Sequence, residues 1–327
     1  MAYSPNGKHI ASGTSESGKA GKLWIWDTQT GQIVNQIYAH AYGVYALAFS
    51  PDGKKLVSSG DDQTIRVWNV SEGKELTWMN ISSPTSDQVS LVISLNYSPD
   101  GEYIVGGGDI DNNGVMVIWD TETGQELNRW SGHDESITSV TYSPDGSRIV
   151  SGSRDNINRI WDAETAEELA KFTNHTDDVN SVAYNPNGHY IVSGSSDGTV
   201  RVWEAETGEE HLQLIGHTDS VSSVAYSSSG DYIASGSFDG TVRVWDAGTG
   251  HEIVRFAEHA NPVNSITYSL DGNQIISGDR NGIVRIWYGD IDYLLDLAET
   301  LIQRDPSVFL GNERSRFGFD KWPSFSH

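Results

Sequence analysis

The sequence of 327 residues contains no cysteine and few basic residues, with 21 Lys and Arg against 45 Asp and Glu. The absence of cysteine excludes disulfide bonds, thiolate zinc sites and cysteine nucleophiles. The formal net charge of −24 disfavours binding to nucleic acid and to anionic membranes, because both depend on clustered Lys and Arg side chains. No apolar run approaches the roughly 20 residues that span a bilayer, and no signal peptide begins the chain. These absences predict a soluble cytoplasmic protein that binds neither nucleic acid nor membrane.

Tryptophan, in contrast, is abundant and regularly placed. Seven of the eleven tryptophans are separated by intervals of 42, 51, 42, 42, 42 and 42 residues. Each ends a segment in which apolar and polar residues alternate, as in residues 199–203, and this alternation is typical of a β-strand. The tryptophans of the repeat are Trp26, Trp68, Trp119, Trp161, Trp203, Trp245 and Trp287.

Each period contains three further segments with strand character, separated by turns that contain glycine. Four antiparallel strands per period of about 42 residues predict one blade of a β-propeller. Because one blade cannot bury both of its faces, seven blades are expected to stack around an axis into a single domain over residues 1–288. The predicted fold class is therefore all-β, a seven-bladed β-propeller of four-stranded antiparallel blades.

Two dipeptides connect this pattern to a known family. Six of the seven repeat tryptophans are followed by Asp, Asn or Glu, and Gly132–His133 and Gly216–His217 stand before inner strands. Residues 1–288 thereby resemble the WD-repeat β-propellers. Residues 292–319 are similar to tails that follow propellers in large bacterial signalling proteins, so the resemblance is to a bacterial type. It implies the propeller fold and a role in binding.

A second set of residues also recurs: a His, a Ser 18 residues later, an Asp four residues after the Ser, and the Trp six residues further on. Ser, His and Asp together suggest a hydrolase triad, but an enzyme needs one such site and this set occurs four times. The WD-repeat resemblance implies instead a structural tetrad in each blade, in which Trp donates to Ser, Ser to His, and His meets Asp. The predicted structural tetrads are His40, Ser58, Asp62 and Trp68; His133, Ser151, Asp155 and Trp161; His175, Ser193, Asp197 and Trp203; and His217, Ser235, Asp239 and Trp245.

The last and third periods depart from this set. In the last period, His259, Ser277 and Trp287 are present, but Asn281 stands where Asp is expected. In the third period, Gln88 stands at the His position and Gly106 at the Ser position, and two loops are longer. Because function concentrates in irregular loops, the third blade is either part of a binding site or a blade that has diverged. No catalytic residue, cofactor or metal site is predicted.

The resemblance also implies where a partner would bind. In the family, binding often uses three positions per blade on the face that carries the inter-blade connections and the turns between second and third strands, here called the loop face. Tyr, Phe and Arg at such positions are the residue types enriched at binding hot spots. The predicted contacts to a protein or peptide partner are Tyr45, Asp61, Leu91, Ile93, Arg154, Asp178, Asn180, Phe238, Asn264 and Arg280.

The two ends of the chain raise separate expectations. Residues 2–7 align with residues 183–188, so the chain starts inside the inner strand of blade one. In the family, a preceding strand completes the last blade, so this blade is expected to lack its outer strand and to expose an open edge. Either about 15–20 residues precede Met1 in a longer protein, or another segment covers the edge. Residues 289–327 predict a short amphipathic C-terminal helix and tail, docked on the propeller or on a partner.

These patterns favour a non-enzymatic scaffold that binds a protein or peptide on the loop face. The alternative is the sensor portion of a larger bacterial signalling protein, with a covalently linked NTPase or kinase as effector domain. A propeller hydrolase is less favoured, because no unique catalytic group stands out.

Overall fold

In a computed structural model, which describes residues 1–14, 19–81, 90–110 and 113–288, the chain forms seven antiparallel sheets and no helix. The predicted all-β, seven-bladed propeller is thereby confirmed, including the last blade with only three strands. The chain divides into two units, Met1–Trp287 and Tyr288–His327. The helix predicted within residues 289–327 lies outside the described residues.

The first three blades contain strands β1 to β12. In each sheet the strands pair in chain order, from the innermost to the outermost. Blade one consists of β1 (Ala2–Tyr3), β2 (His9–Gly13), β3 (Gly21–Asp27) and β4 (Ile33–His40); blade two of β5 (Val44–Phe49), β6 (Lys55–Gly60), β7 (Thr64–Asn69) and β8 (Glu75–Asn80); blade three of β9 (Leu91–Tyr97), β10 (Tyr103–Ile110), β11 (Asn113–Asp120) and β12 (Glu126–His133).

The remaining four blades follow the same order. Blade four consists of β13 (Ile137–Tyr142), β14 (Arg148–Ser153), β15 (Asn158–Asp162) and β16 (Glu168–Phe172); blade five of β17 (Val179–Tyr184), β18 (Tyr190–Ser195), β19 (Thr199–Glu204) and β20 (Glu210–Ile215); blade six of β21 (Val221–Tyr226), β22 (Tyr232–Ser237), β23 (Val242–Asp246) and β24 (Glu252–Phe256); blade seven of β25 (Val263–Tyr268), β26 (Gln274–Asp279) and β27 (Val284–Tyr288).

The second strands of blades two to seven are buried over almost their whole length, because a blade packs on each side of them. In blades four, five and six these strands contain a Ser-Gly-Ser segment, whose glycine meets the inner strand of the next blade. A Cβ atom on Gly194 would lie 2.6 Å from the Val221 side chain, and one on Gly236 would lie 2.7 Å from Val263. The glycines therefore allow neighbouring blades to approach within the contact distance of a packed core.

Serine side chains on the inner strands link successive blades. The hydroxyl oxygen of Ser181 in blade five accepts the Val224 backbone N–H of blade six at 3.1 Å. The same link joins blades three and four, four and five, and six and seven. The four bonds run from Val140 to Ser94, from Val182 to Ser139, from Val224 to Ser181 and from Ile266 to Ser223. This serine ladder fixes the inner strands relative to one another.

Blade seven differs from its neighbours along the outer edge of β27. In blade six, Val242 and Val244 are 0% exposed beneath the fourth strand, β24. The equivalent residues of blade seven, Val284 and Ile286, are 47% and 55% exposed. Among the residues that the structure describes, no strand pairs with this edge.

Candidate functional site

The recurring His, Ser, Asp and Trp residues meet in four complete tetrads. In blade six the Trp245 indole N–H donates to Ser235 Oγ at 2.8 Å. The His217 ring bridges Ser235 Oγ, at 2.7 Å from Nε2, and Asp239 Oδ2, at 2.9 Å from Nδ1. The same contacts occur at Trp68, Ser58, His40 and Asp62, at Trp161, Ser151, His133 and Asp155, and at Trp203, Ser193, His175 and Asp197.

Blade seven completes a fifth tetrad with a residue that the spacing missed. Asp279, and not a residue at position 281, lies against the ring of His259, with Asp279 Oδ2 at 3.2 Å from Nδ1. His259 Nε2 contacts Ser277 Oγ at 2.7 Å, and Trp287 donates to the same oxygen at 2.7 Å. Asp279 occupies the position of Ser237 in blade six, so its carboxylate reaches the ring from the end of the second strand. A search for any carboxylate near this turn would have found it.

Blades one and three show what remains when the set is incomplete. In blade one, Trp26 donates to Ser12 Oγ at 3.2 Å. In blade three, a Cβ atom on Gly106 would lie 2.8 Å from the Trp119 ring and 3.0 Å from the Val92 side chain. The space that a serine fills elsewhere is therefore occupied by the indole itself.

The electrostatics of the tetrads in blades two and six favour a neutral imidazole beside an ionised carboxylate. Burial lowers the pKa of His217, and the neighbouring Asp239 opposes this only in part. Burial also disfavours ionised Asp239, but hydrogen bonds from Thr241 and His217 outweigh it and lower the pKa of Asp239 to about 2. The pKa of His40 is lowered by burial in the same way.

The tetrads offer little to a substrate. Ser235 is fully buried, and its oxygen already contacts both Trp245 and His217. A buried hydroxyl with both neighbours in place has no approach path for an acyl group. The arrangement instead joins the second and third strands to the connection that precedes the inner strand, which positions the loop face.

On the loop face, Tyr45 and Asp61 form a pair. The Tyr45 hydroxyl donates to Asp61 Oδ1 at 2.5 Å, and the Gly43 N–H donates to Asp61 Oδ2 at 3.1 Å. The hydrogen bond to Asp61, together with burial, raises the pKa of Tyr45 to about 12. Tyr45 is nevertheless 44% exposed, and Tyr42 beside it is also exposed. Tyr42 was missed by the sequence analysis because it lies in the inter-blade connection and not at a repeated position.

Three other predicted residues contribute to contacts between blades. The Asn180 side-chain amide donates to the Val221 carbonyl oxygen of blade six at 2.9 Å. The Arg154 Nε atom of blade four lies 3.9 Å from Asp178 Oδ2 of blade five. Asn180 and Asp178 are half-buried, whereas Arg154 is exposed. The structure thus gives Asn180 and Asp178 a structural role at the blade junctions.

The other predicted residues of the loop face differ in exposure. Phe238 precedes the tetrad Asp239 and is 43% exposed. Leu91 and Ile93 lie on β9 and are half-buried, and Asn264 and Arg280 are exposed in blade seven. The exposed aromatic and basic side chains of this face are candidates for partner contact.

Two further properties concern the described part of the chain. There, no group of three or more His, Asp or Glu side chains has the arrangement of a metal site. Within those same ranges, no helix is long and apolar enough to cross a membrane.

Sequence comparison decides the family. Five segments match the family described as WD domain, G-beta repeat: residues 31–69, 124–162, 166–204, 208–246 and 250–288. Together they cover more than half of the 327 residues. The chain belongs to this family. Each matched WD-repeat segment begins near the outer strand of one blade and ends with the third strand of the next.

Two relatives show how far the similarity of this WD-repeat chain extends. It is 28% identical over 161 residues to Autophagy-related protein 16 of Arabidopsis thaliana, covering 49% of this chain and 29% of the relative. It is 27% identical over 157 residues to Protein groucho of Drosophila melanogaster, covering 48% of this chain and 20% of the relative. The matched part therefore spans less than a third of either relative.

Proposed function

We propose that this WD-repeat protein is a non-enzymatic scaffold that binds a protein or peptide partner on the loop face, in the cytoplasm. The observation that carries the proposal is the exposure of large aromatic side chains there. Tyr45 and Phe238 are 44% and 43% exposed on this face. Aromatic residues and arginine contribute most of the binding energy in many protein interfaces.

The rigidity of the surface supports the same proposal. The five tetrads and the serine ladder fix the backbone that carries the loop-face side chains. A surface that is already ordered loses little conformational entropy when a partner binds. The Tyr45 ring is further held by its hydrogen bond to Asp61.

The experiment is capture of partners from an extract of the source cells on the immobilised protein, read by quantitative mass spectrometry. The variants Tyr45→Ala and Phe238→Ala should each reduce capture of a shared partner by about tenfold, since a hot-spot truncation costs about 1.4 kcal/mol or more. Both side chains are exposed, so the variants should keep the melting temperature of the native protein.

Trp78→Ala is the matched control, because Trp78 is an aromatic residue on the outer strand β8 and is even more exposed, at 56%. Capture should be unchanged in this variant. If Trp78→Ala reduces capture as strongly as Tyr45→Ala, the outer surface of the ring binds the partner and the proposal is wrong. Capture that survives both loop-face variants would also contradict it.

A second candidate is the recognition part of a larger bacterial signalling protein. It is favoured by the exposed edge of β27, where Val284 and Ile286 are uncovered. An additional strand from the rest of such a protein would bury them, as β24 buries Val242 and Val244 in blade six. The mass of the protein purified from its source cells tests this: a species well above 35.8 kDa supports the candidate, and one at that mass contradicts it.

A further inference from the structure

A cleft of about 550 Å³ lies between blades four and five, on the face opposite the loop face. One wall is the turn after β13, with Pro144, Asp145 and Arg148. The other wall is formed by both turns of blade five, including Tyr190, Glu204 and Glu206. The cleft is therefore independent of the partner site proposed above.

Glu204 replaces the aspartate that blades one, three, four and six have at the equivalent turn. At the equivalent position of blade four, Asp162 Oδ1 accepts the Glu164 N–H at 3.0 Å and the Thr165 N–H at 2.8 Å. Blades one, three and six have the same aspartate with the same contacts, at Asp27, Asp120 and Asp246.

The longer side chain of Glu204 makes neither of these backbone contacts. Among the residues that the structure describes, Glu204 Oε2 accepts only the Thr207 hydroxyl, at 3.1 Å, although the backbone of the turn keeps the same hydrogen bond from Gly208 N–H to the Glu204 carbonyl. The Glu204 carboxylate therefore lacks the two backbone contacts of the equivalent aspartates, and it lines the cleft.

A buried polar atom without a partner also belongs to the cleft. Tyr184 lines it and is only 8% exposed. Its hydroxyl oxygen has no hydrogen-bond partner in the part of the chain that the structure describes. Burial raises the pKa of Tyr184, and Arg148 and Asp145 act on it in opposite directions, so both charges lie within its electrostatic reach.

The equivalent hydroxyls of Tyr97, Tyr226 and Tyr268 also lack partners. The orphaned hydroxyl is therefore common to several blades. What distinguishes this cleft is that the unpaired Tyr184 hydroxyl lies in the same lining as the Glu204 carboxylate, which makes no backbone contact in its own turn. An unpaired buried hydroxyl costs free energy that a ligand donor would recover.

The charges of the cleft favour a cation. Its lining carries three carboxylates, Asp145, Glu204 and Glu206, against the single guanidinium of Arg148. Arg148 is already committed, because its Nη1 donates to the Ala205 carbonyl oxygen of blade five at 3.1 Å. Glu206 makes no hydrogen bond or ion pair with a residue that the structure describes, and it is exposed at the rim. These ionic side chains thus carry two more negative charges than positive ones.

We propose that this cleft binds a basic side chain of a partner peptide, with Glu204 and Glu206 holding its cationic group and the Tyr184 hydroxyl accepting one of its N–H donors. A metal ion is the weaker match, because the cleft lies among residues where no metal-binding group was found. An arginine suits a site with two carboxylates and a hydroxyl, since its guanidinium offers five donors in a fixed geometry. The apolar stem of the side chain would lie against Pro144 and Tyr190.

The test is fluorescence anisotropy with a fluorescein-labelled tetra-arginine peptide as the probe, in about 0.15 M salt, where distant charges are screened. Glu206→Gln should weaken binding about tenfold, the loss of one charged hydrogen bond. The matched control is Glu164→Gln, which removes the same charge from the equivalent turn of blade four and should change the affinity by less than about twofold.

Glu204→Asp is the sharper variant, because it keeps the charge. The shorter side chain should return to capping its turn, as in the other blades, and leave the cleft. We expect peptide affinity to fall about fivefold or more while the melting temperature stays the same or rises. Tyr184→Phe should weaken binding by a few-fold, and Tyr226→Phe should leave it unchanged.

The binding data for these variants distinguish a specific site from a generally acidic surface. If Glu206→Gln and Glu164→Gln lower the peptide affinity equally, the peptide responds only to the overall charge of this face, and the proposal is wrong. A native affinity in Glu204→Asp, with the fold intact, would also overturn it. None of these variants lies on the loop face, so the result is independent of whether the partner site there is correct.

Discussion

Blades six and three bury the same kind of tryptophan by different means. In blade six, Trp245 is 1% exposed and is held by the tetrad of His217, Ser235 and Asp239. In blade three, Trp119 is also 1% exposed, but the serine position is Gly106 and the ring packs directly against it. Blade six matches the family, whereas blade three lies largely outside the matched segments.

The difference teaches that the tetrad is not required to build a blade. Blade three has a longer ladder instead: β10 and β11 pair over eight residues, against five between β22 and β23 of blade six. Additional backbone hydrogen bonds and apolar contacts therefore replace a buried polar network. Removing a tetrad residue should therefore destabilise blade six, whereas adding one should destabilise blade three.

The largest expected effect is the loss of the imidazole in blade six. His217→Ala leaves Ser235 and Asp239 without their buried partner, and should lower the free energy of unfolding by about 3 kcal/mol. Chemical denaturation measures this directly. A loss below about 1 kcal/mol would show that water replaces the ring and that the tetrad adds little.

A matched pair of tryptophan variants isolates the hydrogen bond from the bulk of the ring. Trp245→Phe removes the donor to Ser235, whereas Trp119→Phe removes no hydrogen bond between described residues. Both variants lose similar volume, so the first should cost about 1 kcal/mol more than the second. Equal costs would indicate that packing alone stabilises both blades.

In blade three, adding a tetrad residue should destabilise the protein. Gly106→Ser introduces the residue that the other blades have, but its Cβ would lie 2.8 Å from the Trp119 ring. Overpacking of this kind should destabilise the protein by about 2 kcal/mol, measured as above. A stabilised variant would mean that blade three retains the space for a tetrad and has lost only its residues.

A pH titration of stability tests the charge state of the tetrads. The folded pKa values of His40 and His217 lie below their ordinary value of 6.5, so in acid the unfolded chain binds protons that the folded chain does not. Stability should therefore be full above about pH 7 and fall below pH 6.5, by at most about 1.4 kcal/mol per pH unit for each group.

A second decrease should follow at lower pH. The pKa of Asp239 is about 2 in the folded protein, against an ordinary value of 3.8, so its contribution is present above pH 3.8 and lost toward pH 2. His217→Gln should flatten the decrease near pH 6. An unchanged slope in that variant would place the titrating groups elsewhere.

The smallest effect concerns a threonine that donates a hydrogen bond to the tetrad aspartate. The Thr241 hydroxyl donates to Asp239 Oδ1 at 2.7 Å, whereas the equivalent residues of blades four and seven are Ile157 and Ile283. Thr241→Val should cost about 1 kcal/mol and raise the pKa of Asp239. The carboxyl shift can be followed by NMR, and a pKa that stays near 2 would assign the effect to His217 alone.

The repeat made the propeller predictable, because each period carries its own strand pattern and a fixed set of buried polar residues. Constant spacing placed Ser235 and His217 in one blade correctly. It failed at Asp279, because a carboxylate two residues away reaches the same imidazole from a tight turn. The cleft at Glu204 was not predictable, because its walls come from two blades and depend on where one side chain points. The residues proposed to bind a partner remain predictions wherever the structure shows only their exposure.

The serine ladder has a consequence for the ring as a whole. Each linked blade accepts a hydrogen bond from the blade after it, so the connection is head-to-tail and has the same sense at every step that it joins. In a head-to-tail array, every junction must turn by about one seventh of a circle for the last blade to meet the first. Small changes of angle at the individual junctions would add up where the ring closes between blades seven and one, at the contact of Met1 with Gly278. The geometry of any one junction is therefore constrained by all the others.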